Sequence, residues 1–371
     1  MTFLFFSFVF LALFYMHFAL AHRAWLMIRG KQSAELDMGY VRLEDFFGQS
    51  FRAKLAGWLK STPQQASSTA ALRVFDRGNE RIFVANGASY PAGRRETEVL
   101  VIEGDFTCGG DCSFERELMV KGDCAIGPDT HLQAVAVDGS LNLGEGAHVR
   151  RWVDAAKHLT VGADVQVESR VTSRSSIEFL PGAKALSLFA PEIFTEGRHD
   201  AKLRVEIAPA VIVQIPHPAS MKEPAHGYDP AKLHAMGGGT YLYDGDLRVS
   251  APLHVTAPLV VRGELKCEQE SLCEKDVKAQ GDVEIGAASM LKGNLIAGGA
   301  MKLGPNTYFQ GLLHAGGAMR LARGVRGLRE KLPVAAYAAG DLIVESNVVV
   351  NGKLASARAV KALSTPVAWL E

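Results

Sequence analysis

The sequence predicts an all-β chain: a triangular parallel β-helix of about 18 residues per coil, preceded by one transmembrane helix. Three observations predict it. Aliphatic–polar–aliphatic triplets recur every 18 residues through most of the chain. Within each coil, a six-residue period sets two uncharged positions around one outward position. An uncharged apolar run fills residues 2–21.

The apolar run comes first. Thr2 to Ala21 holds mostly Phe, Leu, Val and Ala. Twenty helical residues rise about 30 Å, enough to cross the hydrocarbon core. Ala19-Leu20-Ala21 resembles a cleavage site, but no positive charge precedes the run. The run also exceeds the roughly 7–15 apolar residues of a signal peptide. The reading is therefore a retained anchor over residues 1–22. Arg23, Arg29 and Lys31 follow it, which puts the body on the cytoplasmic side of an inner membrane.

Residues 23–70 read as a juxtamembrane helix and a linker. Leu43, Phe47, Phe51, Leu55 and Leu59 recur every four residues, with Phe46 and Trp58 beside them and Arg42, Glu44, Asp45, Gln49, Arg52 and Lys54 opposite. Such a helix packs on its own protein or lies in the membrane interface, and the sequence leaves both open. Ser61 to Ala70 is small, polar and Pro-containing, which marks a linker.

The repeat decides the fold. Phe106, Cys124, Leu141, Leu159 and Ile177 open triplets at steps of 18, 17, 18 and 18. Leu247, Leu265, Val283, Met301 and Met319 follow at 18, and a step of 23 reaches Leu342 across the basic stretch Arg323 to Lys331. From Val283 the inward positions include Ser289, Leu291, Leu295, Leu303, Thr307, Phe309 and Leu313, none charged. Lys302 and Arg320 fall at outward positions. Two inward residues around one outward residue mark a short strand, and three strands per coil stack into three parallel sheets. Gly263, Gly281, Gly293, Gly311 and Gly317 lie between the inward pairs, where the chain turns.

This register maps the chain. Residues 71–99 form an N-terminal cap, 100–185 a first block, 186–240 an insertion, 241–362 a second block and 363–371 a tail or cap. The insertion carries Pro191, Pro209, Pro216, Pro218, Pro224 and Pro230 and breaks the repeat. A solenoid end exposes strand edges and open core. Leu72 to Val84, with Val74, Phe75, Ile82 and Phe83, is the candidate cap at one end, and Ser364 to Glu371, with Trp369 and Leu370, at the other.

Composition narrows the function. Lys+Arg and Asp+Glu are 40 each, for zero net charge, which gives no support to a nucleic-acid partner. Cys108, Cys112, Cys124, Cys267 and Cys273 all fall at inward positions and read as buried core thiols. The separations of 4 and 12 among the first three fit no usual zinc pattern. His131, His148 and His254 share one outward position of their coils. The first two belong to adjacent coils, about 5 Å apart, and with no acid partner identifiable they read as a surface ladder. His199, His217, His226 and His234 are irregularly spaced and read as loop residues. Gly237 to Gly239 reads as a linker. No residue is assigned a catalytic, cofactor-binding or metal-ligating role.

The block Gly281-Asp-Val-Glu-Ile-Gly-Ala-Ala-Ser-Met-Leu-Lys-Gly-Asn-Leu-Ile-Ala, whose pattern recurs at Leu159 to Val171 and Met301 to Ala315, resembles the bactofilin family. The resemblance implies a right-handed triangular β-helix in a bacterial cytoskeletal protein. It also implies polymerisation without nucleotide and attachment to the inner membrane by an N-terminal segment. The solenoid here is double-length and interrupted. The function expected is a membrane-anchored scaffold, not an enzyme and without cofactors, that associates with itself or with membrane or cell-envelope proteins. The alternative is a hexapeptide-repeat acyltransferase. Ile126-Gly-Pro-Asp-Thr, Val161-Gly-Ala-Asp-Val and Leu303-Gly-Pro-Asn-Thr fit that motif, but on about one face of three.

Overall fold

The computed structural model describes residues 44–62, 72–77, 80–196, 213–216, 224 and 226–363. The expected anchor at 1–22, most of the linker, Trp369 and Leu370 lie outside the described residues. Among those described, no helix is long and apolar enough to cross a membrane.

The chain forms a parallel β-solenoid with three strand ladders. The 18-residue register holds: Leu265 pairs with Val283, Val283 with Met301 and Met301 with Met319. Cys124 to Leu141 is the 17-residue step and Met319 to Leu342 the 23-residue one. Face 1 holds seven strands in the first block, from Ala88–Tyr90 to the end of Lys184–Thr195. It holds seven in the second, from Leu247–Val249 to the end of Val349–Ala362. The ladders thus reach beyond the limits 100–185 read from triplets. They take in Glu80–Ala85 at one end and Lys184–Thr195 at the other, because hydrogen bonding continues where the triplet pattern weakens.

Inward positions build one continuous core. Leu295 and Leu313 pair across neighbouring coils and are buried. Ser289 and Thr307 point inward as well, and each donates its hydroxyl hydrogen bond to the carbonyl of Gly286, at 2.9 and 3.2 Å, so their burial leaves no polar group unpaired. Lys302 is exposed as expected. Arg320 is not: it is half-buried and paired with the buried carboxylate of Glu345.

The corners divide two tasks. The tight turn between faces 1 and 2 needs positive φ, and Asp111, Asp129, Asp164, Glu270, Asn306 and Asn347 adopt it, between 52° and 59°. The expected corner glycines serve another purpose. A Cβ on Gly311 would meet Gly293 O at 2.5 Å, and one on Gly317 would meet Ala300 N at 3.0 Å. These positions are small because successive corners stack, not because the chain turns left-handed. Asp side chains tie the same corners together. The Oδ1 atoms of Asp105, Asp246 and Asp282 accept the N–H of Asp123, Glu264 and Ala300 one coil on, at 2.7–2.9 Å.

The two blocks do not stack head to tail. Lys184–Thr195, the last coil of the first block, pairs antiparallel with Val349–Ala362, the last coil of the second. Leu188 meets Leu354, Ser187 meets Ala355 and Phe189 meets Lys353, so the join has local two-fold symmetry. Thr195 locks it: its hydroxyl donates to Glu345 O (2.7 Å) and accepts from Val348 N (3.0 Å). Both blocks therefore end at the middle of a rod of fourteen rungs, about 60 Å long at strand spacing. The edge of the last coil, the expected place of a C-terminal cap, is paired with the first block; residues 364–371 lie outside the described residues.

The insertion is corrected in part. It leaves the seam at Glu196, yet Val213–Ile215 pairs with Leu253–Val255 at the far tip. There Leu233–Met236 and Thr240–Tyr243 form an antiparallel hairpin closing face 3. The Leu72–Arg77/Glu80–Ala85 hairpin closes face 3 at the opposite tip, the cap expected there. Aromatic rings plug both core ends: Tyr90 with Phe106 and Phe114, and Tyr228 with Tyr243.

One helix, α1 (Phe46–Ser61), lies on the outside of face 3 of the first block. It stops at Thr62, whose extended conformation (φ −101°, ψ 128°) precedes Pro63, as the residue before proline prefers. Phe51, Leu55, Trp58 and Leu59 pack on Ile82, Val84, Val101, Met119, Ala136 and Trp152. Leu55 is buried, and full burial of such a side chain stabilises by about 1.5–3 kcal/mol; the other three are half-buried. Of the two readings of this helix, its stripe from Phe51 to Leu59 takes the protein-packed one.

Leu295→Asp buries an unpaired charge between stacked coils and is expected to lower stability by about 3 kcal/mol or more, read by chemical denaturation. A wild-type midpoint would contradict the register. A chain ending at Glu196 exposes the Lys184–Thr195 edge and is expected to dimerise through it in sedimentation. Monomers at high concentration would show that the seam does not drive pairing.

Candidate functional site

The described residues offer four places to look for chemistry. The first is the histidine ladder. His131 pairs with His148 on face 2 of the first block, and the rings stand perpendicular with centroids 5.8 Å apart. Glu168 approaches His148 Nε2 at 3.0 Å, an acid partner the sequence did not reveal. The three groups stand along an open sheet face. His254 lies on face 2 of the second block, its Nε2 3.6 Å from Glu274 and without a hydrogen-bond partner. His226 and His234 sit in the far-tip cap, while His199 and His217 lie outside the described residues.

The second is a cluster that sequence reading missed. His158 Nδ1 lies 2.9 Å from Ser176 Oγ and its Nε2 lies 3.1 Å from Thr160 Oγ1, with Glu178 at 3.8 Å. Phe194 stacks on the ring at 6.1 Å. The members are neighbours across adjacent coils of face 1 and its preceding corner. A spacing of 18 from His158 to Ser176 and from Thr160 to Glu178 was the available signal.

The third is the set of thiols. All five Cys are buried and unpaired. Burial pushes the Cys108 and Cys267 thiols up to about 11 and raises those of Cys124 and Cys273 further. Thiols held protonated are poor nucleophiles and poor metal ligands. Among the described residues no group of three or more His, Cys, Asp and Glu is placed to hold a metal ion.

The fourth lies at the corner between faces 1 and 2 of the second block, near the seam. A cavity of about 410 Å³ is lined by Pro305, Asn306, Arg320, Arg323, Glu345 and Asn347. Glu345 fixes its floor, accepting from Arg320 Nε at 2.6 Å and Arg323 N at 2.9 Å. Beside it Arg326 is buried and donates to Asn347 O at 2.6 Å and Asn347 Oδ1 at 2.9 Å. Burial lowers the pKa of this guanidinium.

A buried ion pair holds α1. Arg52 reaches down from the helix, pairs with the buried Asp154, and bonds Asp138 at 2.7 Å and Val137 O at 2.9 Å. Thr172 donates to the same Asp154. Burial disfavours the Arg52 charge, and the two carboxylates outweigh that effect, raising its pKa. Gly48 leaves room for Asp154, since a Cβ there would collide with its carboxylate. The sequence places Arg52 on the polar side of the helix. The structure makes it the docking anchor.

No family model, curated protein or solved structure matches the chain.

Arg52→Ala strips the counter-charge from buried Asp154, at a cost of about 3–5 kcal/mol for a broken buried pair. The expected outcome is release of α1 from face 3, seen as faster tryptic cleavage at Lys54 and Lys60 with the solenoid intact. Unchanged cleavage would contradict the anchor role. Asp138→Asn, at an exposed partner, is expected to cost under about 1 kcal/mol.

Proposed function

We propose that the chain is a membrane-anchored structural scaffold of the bactofilin kind, built on a right-handed β-helix and associating with further copies or with proteins of the cell envelope. One observation carries the reading. Fourteen coils are filled along their length by apolar side chains, and the two blocks are fastened end to end. Such a rod is stiff and offers flat faces, the properties a scaffold uses.

The anchor rests on the uncharged run at residues 2–21, and the cytoplasmic body on Arg23, Arg29 and Lys31 after it. Buried, protonated thiols are compatible with that compartment. Self-association rests on the two tips, where Leu72–Arg77 and Leu233–Met236 are the outer strands of their hairpins. The outer strand of a hairpin is where a further chain can add to a sheet, and among the described residues Leu233–Met236 pairs only with Thr240–Tyr243.

Cell fractionation is expected to place the full chain with the inner membrane, and a reporter fused after Glu371 to be active only in the cytoplasm. Periplasmic activity, or a mature chain starting at His22, would overturn the topology. Assembly is read by sedimentation and electron microscopy of a chain lacking residues 1–43. Cutting further, to residue 70, would remove α1 and bare Trp152 and Val101, giving sticky particles for the wrong reason. Monomers at high concentration would count against self-association.

A further inference from the structure

The seam symmetry gives each position of the first block a counterpart in the second. Leu188 corresponds to Leu354 and Phe189 to Ala355. From Phe189, the outward column of face 3 in the first block runs through Thr172, Asp154, Ala136, Met119, Val101 and Val84. From Ala355, the second block's column runs through Tyr337, His314, Ile296, Lys278, Val260 and Leu242. Six residues of the first column, Thr172 to Val84, are buried under or beside α1, down to 0–5 % exposure. Of the corresponding six in the second, five are half-buried and Lys278 is exposed.

The second column resembles the first in shape and differs from it in its polar groups. Leu242, Val260 and Ile296 repeat the apolar positions of Val84, Val101 and Ala136 that α1 covers, and Tyr337 stands at the position of Thr172. The polar positions differ: His314 stands where Asp154 holds Arg52, Lys278 stands where Met119 does, and no carboxylate lies in the column. Six rungs span about 24 Å at strand spacing. A helix of 16 residues, the length of α1, is also about 24 Å long. A second copy's α1 would set Arg52 against His314, with no acid in the column to receive it.

We propose that the outer side of face 3 of the second block docks an amphipathic helix of a partner protein, about four turns long, whose apolar stripe carries a carboxylate where α1 carries Arg52. Helix-in-groove recognition of this kind uses apolar anchors at i, i+3, i+4 and i+7. The complementary charge then selects among amphipathic helices. The surface is independent of the anchor and of filament formation.

The probe is a helix-stapled peptide of residues 46–61 in two forms, the native sequence and Arg52→Glu, titrated against the full chain by fluorescence anisotropy. The expected result is at least tenfold tighter binding of the Arg52→Glu peptide, weakened tenfold or more by Ile296→Asp in the chain. Lys278→Glu is expected to narrow or reverse the preference. Ile296 points outward, so Ile296→Asp should keep the native melting temperature. If it does not, Val260→Thr serves the same comparison. Equal binding of the two peptides, or binding indifferent to both variants, would overturn the proposal. So would self-association, or binding to anionic phosphatidylglycerol vesicles, that Ile296→Asp abolishes while peptide binding is absent. Those outcomes assign the face to a second copy or to lipid.

Discussion

The antiparallel pairing of Lys184–Thr195 with Val349–Ala362 is the interaction on which the rest of the molecule depends. A parallel solenoid has a direction, and each of its ends presents a row of unpaired N–H and C=O groups around an open core. Two blocks stacked in sequence would leave one end of each kind. Here the two C-terminal ends close each other, and both free tips are block beginnings. The chain must then carry its path from Glu196 at the seam to Val213 at the far tip before winding back. Six rung spacings cover about 29 Å, within reach of the intervening residues 197–212, since sixteen residues extend to about 50 Å.

The sequence was legible where one residue faces its own repeat. Leu295 over Leu313, Cys124 over Cys108's coil and His131 over His148 all follow from counting 18, because a parallel ladder pairs each residue with its homologue one coil away. The N-terminal hairpin was legible for the same reason: Val74, Phe75, Ile82 and Phe83 are apolar where the first ladder needs a lid. The seam was not. Leu188 and Leu354 occupy ordinary inward positions, and nothing in either coil states that its edge pairs with a strand some 166 residues away in the opposite sense. The corner glycines were correctly placed for a wrong reason, since stacking, not positive φ, excludes a side chain at Gly311 and Gly317.

The candidate site was less legible still, because its members are set by contacts between elements far apart in the chain. Arg52 reads as a solvent-side residue of an amphipathic helix, and Asp154 as an outward residue of a strand. Only packing of α1 on face 3 brings them together and buries both. A charge pair held that way costs desolvation that its attraction must repay, so it contributes more to where the helix sits than to net stability. It discriminates against a helix shifted by one turn, which would leave Asp154 buried without a cation. Arg320 gives the converse case: a residue assigned to solvent by its outward register, drawn to Glu345 because that carboxylate is buried beside the seam.

The geometry also limits what kind of assembly this rod can enter. Contacts between unlike ends of a directional solenoid generate polar filaments by repeating one heterologous interface. In a rod whose two tips are both block beginnings, no tip offers the edge polarity that continues a parallel ladder. Its end-to-end contacts join beginnings to beginnings and bring antiparallel rather than parallel edges together, as the seam itself does. The tips are alike in polarity but not in chemistry: one is plugged by Tyr90, Phe106 and Phe114, the other by Tyr228 and Tyr243, under hairpins of different length. Contact between like tips closes on itself as a two-fold pair. Contact between the two different tips repeats without closing. The choice between a discrete pair and a growing strand therefore rests on which tips recognise each other, and the shape of the hairpins at Leu72–Arg77 and Leu233–Met236 sets that choice.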